Sequence, residues 1–198
     1  MAEIKNLSLQ DQRNILLPKG VILITGEFNS ALFDYAFESL RILRLQEVKN
    51  VTLEITSGGG DGWVGRGLAD EVINYPGEVT GIVRGRAESM AAFLLQACHV
   101  RQMFPGTRLV FHYTYSQKTS AFYGEDYDLE THLDNLKSSQ KSITEYCLKR
   151  AKMSAEEWHK LLIADRPVYA DEALRLGLID EIRRAAWLYG VKKETELF

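Results

Sequence analysis

Short apolar runs alternate with amphipathic stretches through the first half of the chain. Val21-Ile22-Leu23-Ile24-Thr25 is apolar almost throughout, which predicts a strand covered on both faces. Asn29 or Ser30 then caps a helix whose apolar positions Phe33, Phe37, Leu40 and Leu43 follow helical spacing. Val51 to Ile55 predicts a second strand, running through Thr56-Ser57-Gly58-Gly59-Gly60-Asp61-Gly62 into a helix from about Trp63 to Asn74, which Pro76-Gly77 stops. A third strand, Val79 to Val83, is followed by Gly85 as a sharp turn and by a run of helix formers, Met90 to Cys98. The alternation predicts an α/β domain, a mostly parallel sheet with crossover helices.

The second half changes period. Val100 to Met103 and Arg108 to Phe111 predict two short strands joined by the Pro105-Gly106 turn, and Tyr113 to Tyr127 is aromatic and polar with little helical character. Leu129, Leu133, Leu136, Ile143 and Cys147 then recur at threes and fours, with Gln140 the polar member of the series. They form one stripe on a long helix reaching about Lys152, a helix expected to project and to pack against something, such as another copy of itself. Ser154-Ala155-Glu156-Glu157 is a capping box for a short helix through Leu162. A last helix, Ala170 to Leu176, is closed by Gly177 and followed by Leu178-Ile179-Asp180.

At 198 residues the chain is expected to form one domain over 1–198, with a polar N-terminal segment (1–19), a projecting region (113–152) and a C-terminal part (153–198). A net charge of −3 and the lack of any Lys/Arg block argue against nucleic acid as partner. No apolar run approaches membrane length, the first residues lack a signal-type core, and Cys98 and Cys147 have neither disulfide nor metal spacing. A cytoplasmic protein with reduced, core-packed cysteines is expected, with no membrane partner and no cofactor or metal.

Ser89 holds the most chemistry. It lies between a strand and a helix start, where its Oγ faces a cleft and unpaired helix N–H groups stand ready for an anion; alternatively it is only the N-cap. A serine nucleophile needs a base, and four histidines are present. His132 and His159 sit on polar helical stretches and are expected to be solvated, while His99 could meet the end of the Ser89 helix. His112 ends the Arg108-Leu109-Val110-Phe111 strand, at the sheet edge where parallel-sheet proteins place active sites; it reads as a base or as a hydrogen-bonded structural histidine.

Gly85-x-Ala87-x-Ser89-Met90-Ala91-Ala92, the strand-end His112, the Ser57-Gly58-Gly59-Gly60 turn, and Asp165-Arg166-x-x-x-Ala170-x-Glu172-Ala173-x-x-x-Gly177-Leu178-Ile179-Asp180 together resemble the proteolytic subunit of the Clp protease (ClpP). The resemblance spans roughly Val21 to Ile182. It implies the ClpP/crotonase-like ββα spiral with a long projecting handle helix, and a serine endopeptidase that cleaves peptides and unfolded proteins. Ser89 is then the nucleophile, His112 the base and Asp165 the group orienting the imidazole, with the backbone N–H groups of Gly60 and Met90 as oxyanion donors. Substrate would lie along Gly59 and along Tyr113, Thr114 and Tyr115. The same resemblance implies a homo-oligomer of heptameric rings, stacked in pairs, and an ATP-dependent unfoldase as partner. Against the unfoldase stands an N-terminus short for the family and without its apolar start.

Glu88, Asp61 and Pro167 depart from the family pattern, and Glu88 either points to solvent or raises the pKa of His112. Two other readings use the same fold: a crotonase-type acyl-CoA enzyme with the glycine turn around a thioester enolate, and a non-catalytic subunit of a mixed Clp-like ring.

Overall fold

The computed structural model describes residues 8–114 and 129–184. Its frame is a seven-stranded sheet in which β1 (Val21–Thr25), β2 (Asn50–Ser57), β3 (Glu78–Glu88), β4 (Val100–Met103) and β7 (Glu181–Ile182) lie side by side, all parallel. Between them run α2 (Ser30–Leu45), α3 (Gly62–Ile73) and α4 (Met90–Ala97), with α2 packed on α3 and α3 on α4. β1 keeps Ile22, Leu23 and Ile24 buried, as a run apolar on both sides of the pleat requires. Asn29 caps α2 by accepting the Leu32 N–H. The buried face of α2 is Leu32, Ala36, Leu40 and Leu43, while Phe33 and Phe37 stack on each other at 5.3 Å at its margin. Ahead of β1, α1 (Leu9–Leu16) is opened by a Ser8/Asp11 capping box in a stretch whose polarity gave no helical face to read.

β3 departs from the expected short strand. It runs on through Gly85 to Glu88, and the turn falls on Ser89 itself. Its pairing with β2 slips after Ile55, from Ile55 opposite Val83 to Ser57 opposite Ala87. That irregularity divides β3 in two. Its first half pairs with β4 and its second half with β5 (Arg108–Val110), so β4 and β5 are parallel neighbours of one long strand rather than a hairpin. β5 in turn pairs antiparallel with β6 (Val168–Tyr169).

The long helix, α5 (Leu129–Leu148), is anchored through its C-terminal half. Cys147 is buried, Ile143 and Tyr146 pack on the core, and Arg66 of α3 donates to the Ser139 carbonyl at 2.7 Å. Further toward its start the stripe emerges, and Leu133 is 44% exposed. Leu133 is therefore an apolar residue of that stripe left uncovered among the described residues. After it come α6 (Ala155–Ala164), opened by the expected Ser154/Glu157 capping box, and α7 (Ala170–Arg175), which ends before Gly177 in a left-handed conformation. None of the helices described is long and apolar enough to cross a membrane.

Asp180 locks the C-terminal part to the sheet. Its carboxylate takes the Arg101 guanidinium at 2.6 and 3.0 Å, the Arg101 backbone N–H at 2.9 Å and Arg150 at 2.9 Å. Arg150 also reaches the carbonyls of Cys98 and His99, at the end of α4. Partial burial pushes the Asp180 carboxyl up, but the hydrogen bonds and charges of the arginines outweigh it and hold the group below its ordinary range. Because the Arg101 side chain is only 3% exposed, Asp180→Ala strands a buried charge. We expect a loss of about 3 kcal/mol in urea unfolding at neutral pH, at the low end of such cases because Asp180 is partly exposed. A native value below the unfolded one means that this contribution is complete above about pH 4 and disappears as pH falls further. The gap between parent and variant should therefore close in acid.

Candidate active site

The site is built where two turns touch. The first follows β2. Ser57 Oγ donates to the Gly26 carbonyl at 2.5 Å and accepts the Gly59 N–H at 3.0 Å, tying the glycine turn to the end of β1. Phe28 N–H donates to the Gly59 carbonyl and Asp61 N–H to the Phe28 carbonyl, so Phe28 bridges Gly60 in parallel fashion. In such a bridge the central residue turns its own N–H to the opposite side, which leaves the Gly60 amide pointing away from Phe28. Asp61 then caps α3 by accepting the N–H groups of Trp63 and Val64, which explains an acid after the glycines.

The second turn carries Ser89. Its φ of 54° and ψ of −124° place a non-glycine residue in a sparsely populated region, at a cost of about 1–3 kcal/mol. Ser89 N–H donates to the Val110 carbonyl at 2.9 Å, which pins this turn to the end of β5. The side chain makes no capping bond to α4, so the N-cap alternative fails and the hydroxyl is left for other work. Met90 opens α4, and its N–H is among the helix's unpaired first-turn donors. Gly59, at φ 87°, joins the two turns: a Cβ there would stand 2.7 Å from the Glu88 carbonyl and the Ser89 Cβ, and 2.9 Å from the Met90 nitrogen. Only hydrogen fits. The glycine turn thus lies against the backbone of Ser89 and Met90.

Ser89, Met90 and His112 line a single cavity of about 100 Å³. Phe93, Phe111, Ile143, Trp158 and Leu162 supply its apolar wall, and Gly62, Thr114 and Gln140 its remaining edge. Among the described residues no hydrogen bond joins Ser89 Oγ to His112. The imidazole sits two residues beyond β5, half-buried, with Nδ1 2.7 Å from the Tyr113 carbonyl. A carbonyl only accepts, so Nδ1 carries the proton and Nε2 is the ring's basic nitrogen when the ring is neutral.

Asp165 is exposed, at the left-handed C-terminal cap of α6 (φ 43°), and does not line the cavity. In this structure the Nδ1 acceptor is therefore the Tyr113 carbonyl and not the Asp165 carboxylate. β6 pairs with β5 at Arg108 opposite Tyr169 and Leu109 opposite Val168, and Asp165 lies three residues before β6, outside that pairing. Arg166, the alternative partner for Asp165, is instead clamped in a two-bond pair with Glu172 at 2.7 and 2.8 Å.

Glu88 neither reaches solvent alone nor adds an uncompensated charge. Arg108 holds its Oε1 at 2.7 and 2.8 Å, and Arg86 its Oε2 at 3.2 Å. His99 accepts the Val79 N–H, a structural role, and exposed His159 is hydrogen-bonded to the Tyr113 hydroxyl rather than merely solvated. Burial pushes the thiols of Cys98 and Cys147 up to about 12, which removes both as nucleophiles. Among the described residues no group of three His, Cys, Asp or Glu side chains could hold a metal ion. Tyr115, expected along the substrate path, lies outside the described residues.

The cavity wall from α5 and α6 was not foreseen. Its one advance signal was Gln140, polar in an apolar stripe, whose Oε1 accepts from both the N–H and the hydroxyl of Thr114. The contact at Gly59 yields a test. Gly59→Ala should cost about 2–4 kcal/mol in chemical unfolding, from the positive φ and the backbone clash together. Gly62→Ala, with open space around its Cβ position and a helical backbone, should be neutral or slightly stabilising.

The family model described as Clp protease matches residues 4–186. The match takes in both turns, His112, the long helix and the Asp165–Asp180 segment, and it carries peptidase function in general. With its largely parallel sheet, split third strand and crossover helices, the chain belongs to the Clp protease family.

Proposed function

We propose that the protein is a serine endopeptidase in which Ser89 attacks the scissile carbonyl of a peptide or unfolded chain. The observation that carries this reading is Ser89 itself: a strained backbone, a hydroxyl unused by its helix, and a histidine on the same cavity. Strain of this kind persists where the surroundings over-determine it, and nucleophile-bearing strand-to-helix turns are such places. His112 Nε2 takes the Oγ proton as the Oγ–C bond forms, and the N–H groups of Gly60 and Met90 receive the oxyanion. The resulting imidazolium returns the proton to the leaving amine, and a water activated by the same nitrogen then hydrolyses the acyl-enzyme.

Asp165 completes the set in a changed role. The Tyr113 carbonyl already fixes the ring's tautomer, so the carboxylate's part is to offset the positive charge that develops on His112. The aromatic and aliphatic wall of the cavity suits a large apolar side chain next to the scissile bond. A ring of copies enclosing these sites, joined through α5, accords with the family and with the exposure of Leu133. A crotonase-type reading leaves both the strain and the unused hydroxyl of Ser89 without a purpose.

Hydrolysis of fluorogenic peptides with leucine or phenylalanine before the cleaved bond tests the assignment. Ser89→Ala and His112→Ala should each remove at least about 10³-fold of kcat. Asp165→Asn, which keeps the left-handed cap, should cost only about 10–100-fold, less than the roughly 10⁴-fold loss that follows when a carboxylate alone sets the tautomer. Full activity in Ser89→Ala would end the proposal.

A further inference from the structure

The three residues after β5 form a strap held at separate points. His112 Nδ1 donates to the Tyr113 carbonyl at 2.7 Å. The Tyr113 hydroxyl is hydrogen-bonded to His159 Nδ1 on α6, and the two rings meet edge to face with centroids 5.8 Å apart. Thr114 donates twice, from its N–H at 2.8 Å and from Oγ1 at 3.0 Å, to Oε1 of Gln140 on α5. Gln140 is itself steadied, its Nε2 donating to Thr144 Oγ1 at 3.3 Å, and the same hydroxyl accepts the Trp158 indole N–H at 3.1 Å. A connected set of hydrogen bonds therefore runs from α6 through α5 to the strap, and the strap holds the carbonyl that is hydrogen-bonded to His112 Nδ1.

We propose that Gln140 and His159 are positioning residues for catalysis, acting through Thr114 and Tyr113 to hold the Tyr113 carbonyl where it fixes the tautomer and direction of His112. Neither residue needs to touch the reacting atoms. The peptide plane between Tyr113 and Thr114 bears that carbonyl at one end and the Thr114 N–H at the other, so the Gln140 bond to that N–H sets its rotation. His159 fixes the preceding side chain and with it the course of the strap. Without these holds the carbonyl swings, Nδ1 loses its acceptor, and the ring samples orientations from which Nε2 does not face Ser89. Displacement of a base by about 1 Å is enough to cost up to 10²-fold in rate.

This inference rests on Ser89 and His112 being nucleophile and base, and its test separates the two ideas. The rate of Ser89 modification by a fluorophosphonate reports reactivity without demanding peptide binding. Gln140→Leu, close to glutamine in size but without an acceptor, should slow labelling about tenfold or more, and Gln140→Glu, which keeps an oxygen for Thr114, should recover most of that loss. A residue serving only to pack would show the reverse, with Leu tolerated and the charged Glu harmful. In peptide hydrolysis the Gln140→Leu defect should fall on kcat with KM little changed, whereas a mere lining residue would move KM.

His159→Phe provides the second arm, since the exposed site keeps its ring contact but loses the acceptor. It should slow labelling severalfold, and Tyr113→Phe combined with it should add little further loss. Parent-like labelling in both Gln140→Leu and His159→Phe would overturn the positioning role while leaving the peptidase assignment intact. Absence of labelling in the parent would overturn both.

Discussion

The contact on which this structure turns is the one between Gly59 and the backbone of Ser89. Two strand-to-helix connections, one leaving β2 and one leaving β3, meet with no room for a Cβ between them. The strain in Ser89 is sustained from three sides: Gly59 presses on it, the Val110 carbonyl holds its N–H, and α4 begins immediately behind it. Remove any one and the residue has a more comfortable conformation to relax into. What the arrangement gains is a serine hydroxyl and the first amide of α4 beside one cavity, with the glycine turn packed against both.

The sheet exists in the form needed to make that contact. Slippage of β3 against β2 after Ile55 carries the second half of β3 away from β4 and onto β5. That transfer sets the end of β5, and so His112, beside the end of β3, and so Ser89. β6 adds antiparallel to β5, and Asp165 lies three residues before it, at the end of α6. Arg101, Asp180 and Arg150 fasten the chain that follows, which keeps α7 and β7 from pulling the corner open. Charge next to Ser89 is handled in the same local manner, since Glu88 is bracketed by Arg86 and Arg108.

Much of this was readable from residues alone. The apolar runs of β1 and β2, the Ser154/Glu157 capping box and the final Gly177 located their elements closely, because each rests on local chemistry. Gly85 misled: a glycine between an apolar run and a helix reads as a turn, yet here it lies within a strand whose irregular pairing depends on β2, a long-range partner. The side of α2 that packs deepest also shifted, since Phe33 and Phe37 are large enough to pack at a margin while smaller Ala36 goes inside. For the site, the residues themselves singled out Ser89 and left His112 open between a base and a structural histidine, with Asp165 entering only through the family resemblance; nothing in their spacing could show that the Tyr113 carbonyl, one residue away, would take Nδ1. A backbone acceptor has no side-chain signature. Gln140 gave a visible hint, being out of keeping with its stripe, and its partner Thr114 became evident only in three dimensions.

The central claim is that Ser89 is strained because it is a nucleophile, and it is tested most directly by treating the folded protein with a fluorophosphonate and mapping the adduct by mass spectrometry. The account predicts one adduct per chain, on Ser89, lost after unfolding in urea and absent from His112→Ala. No adduct on the folded protein, or modification spread over several serines irrespective of folding, would contradict it.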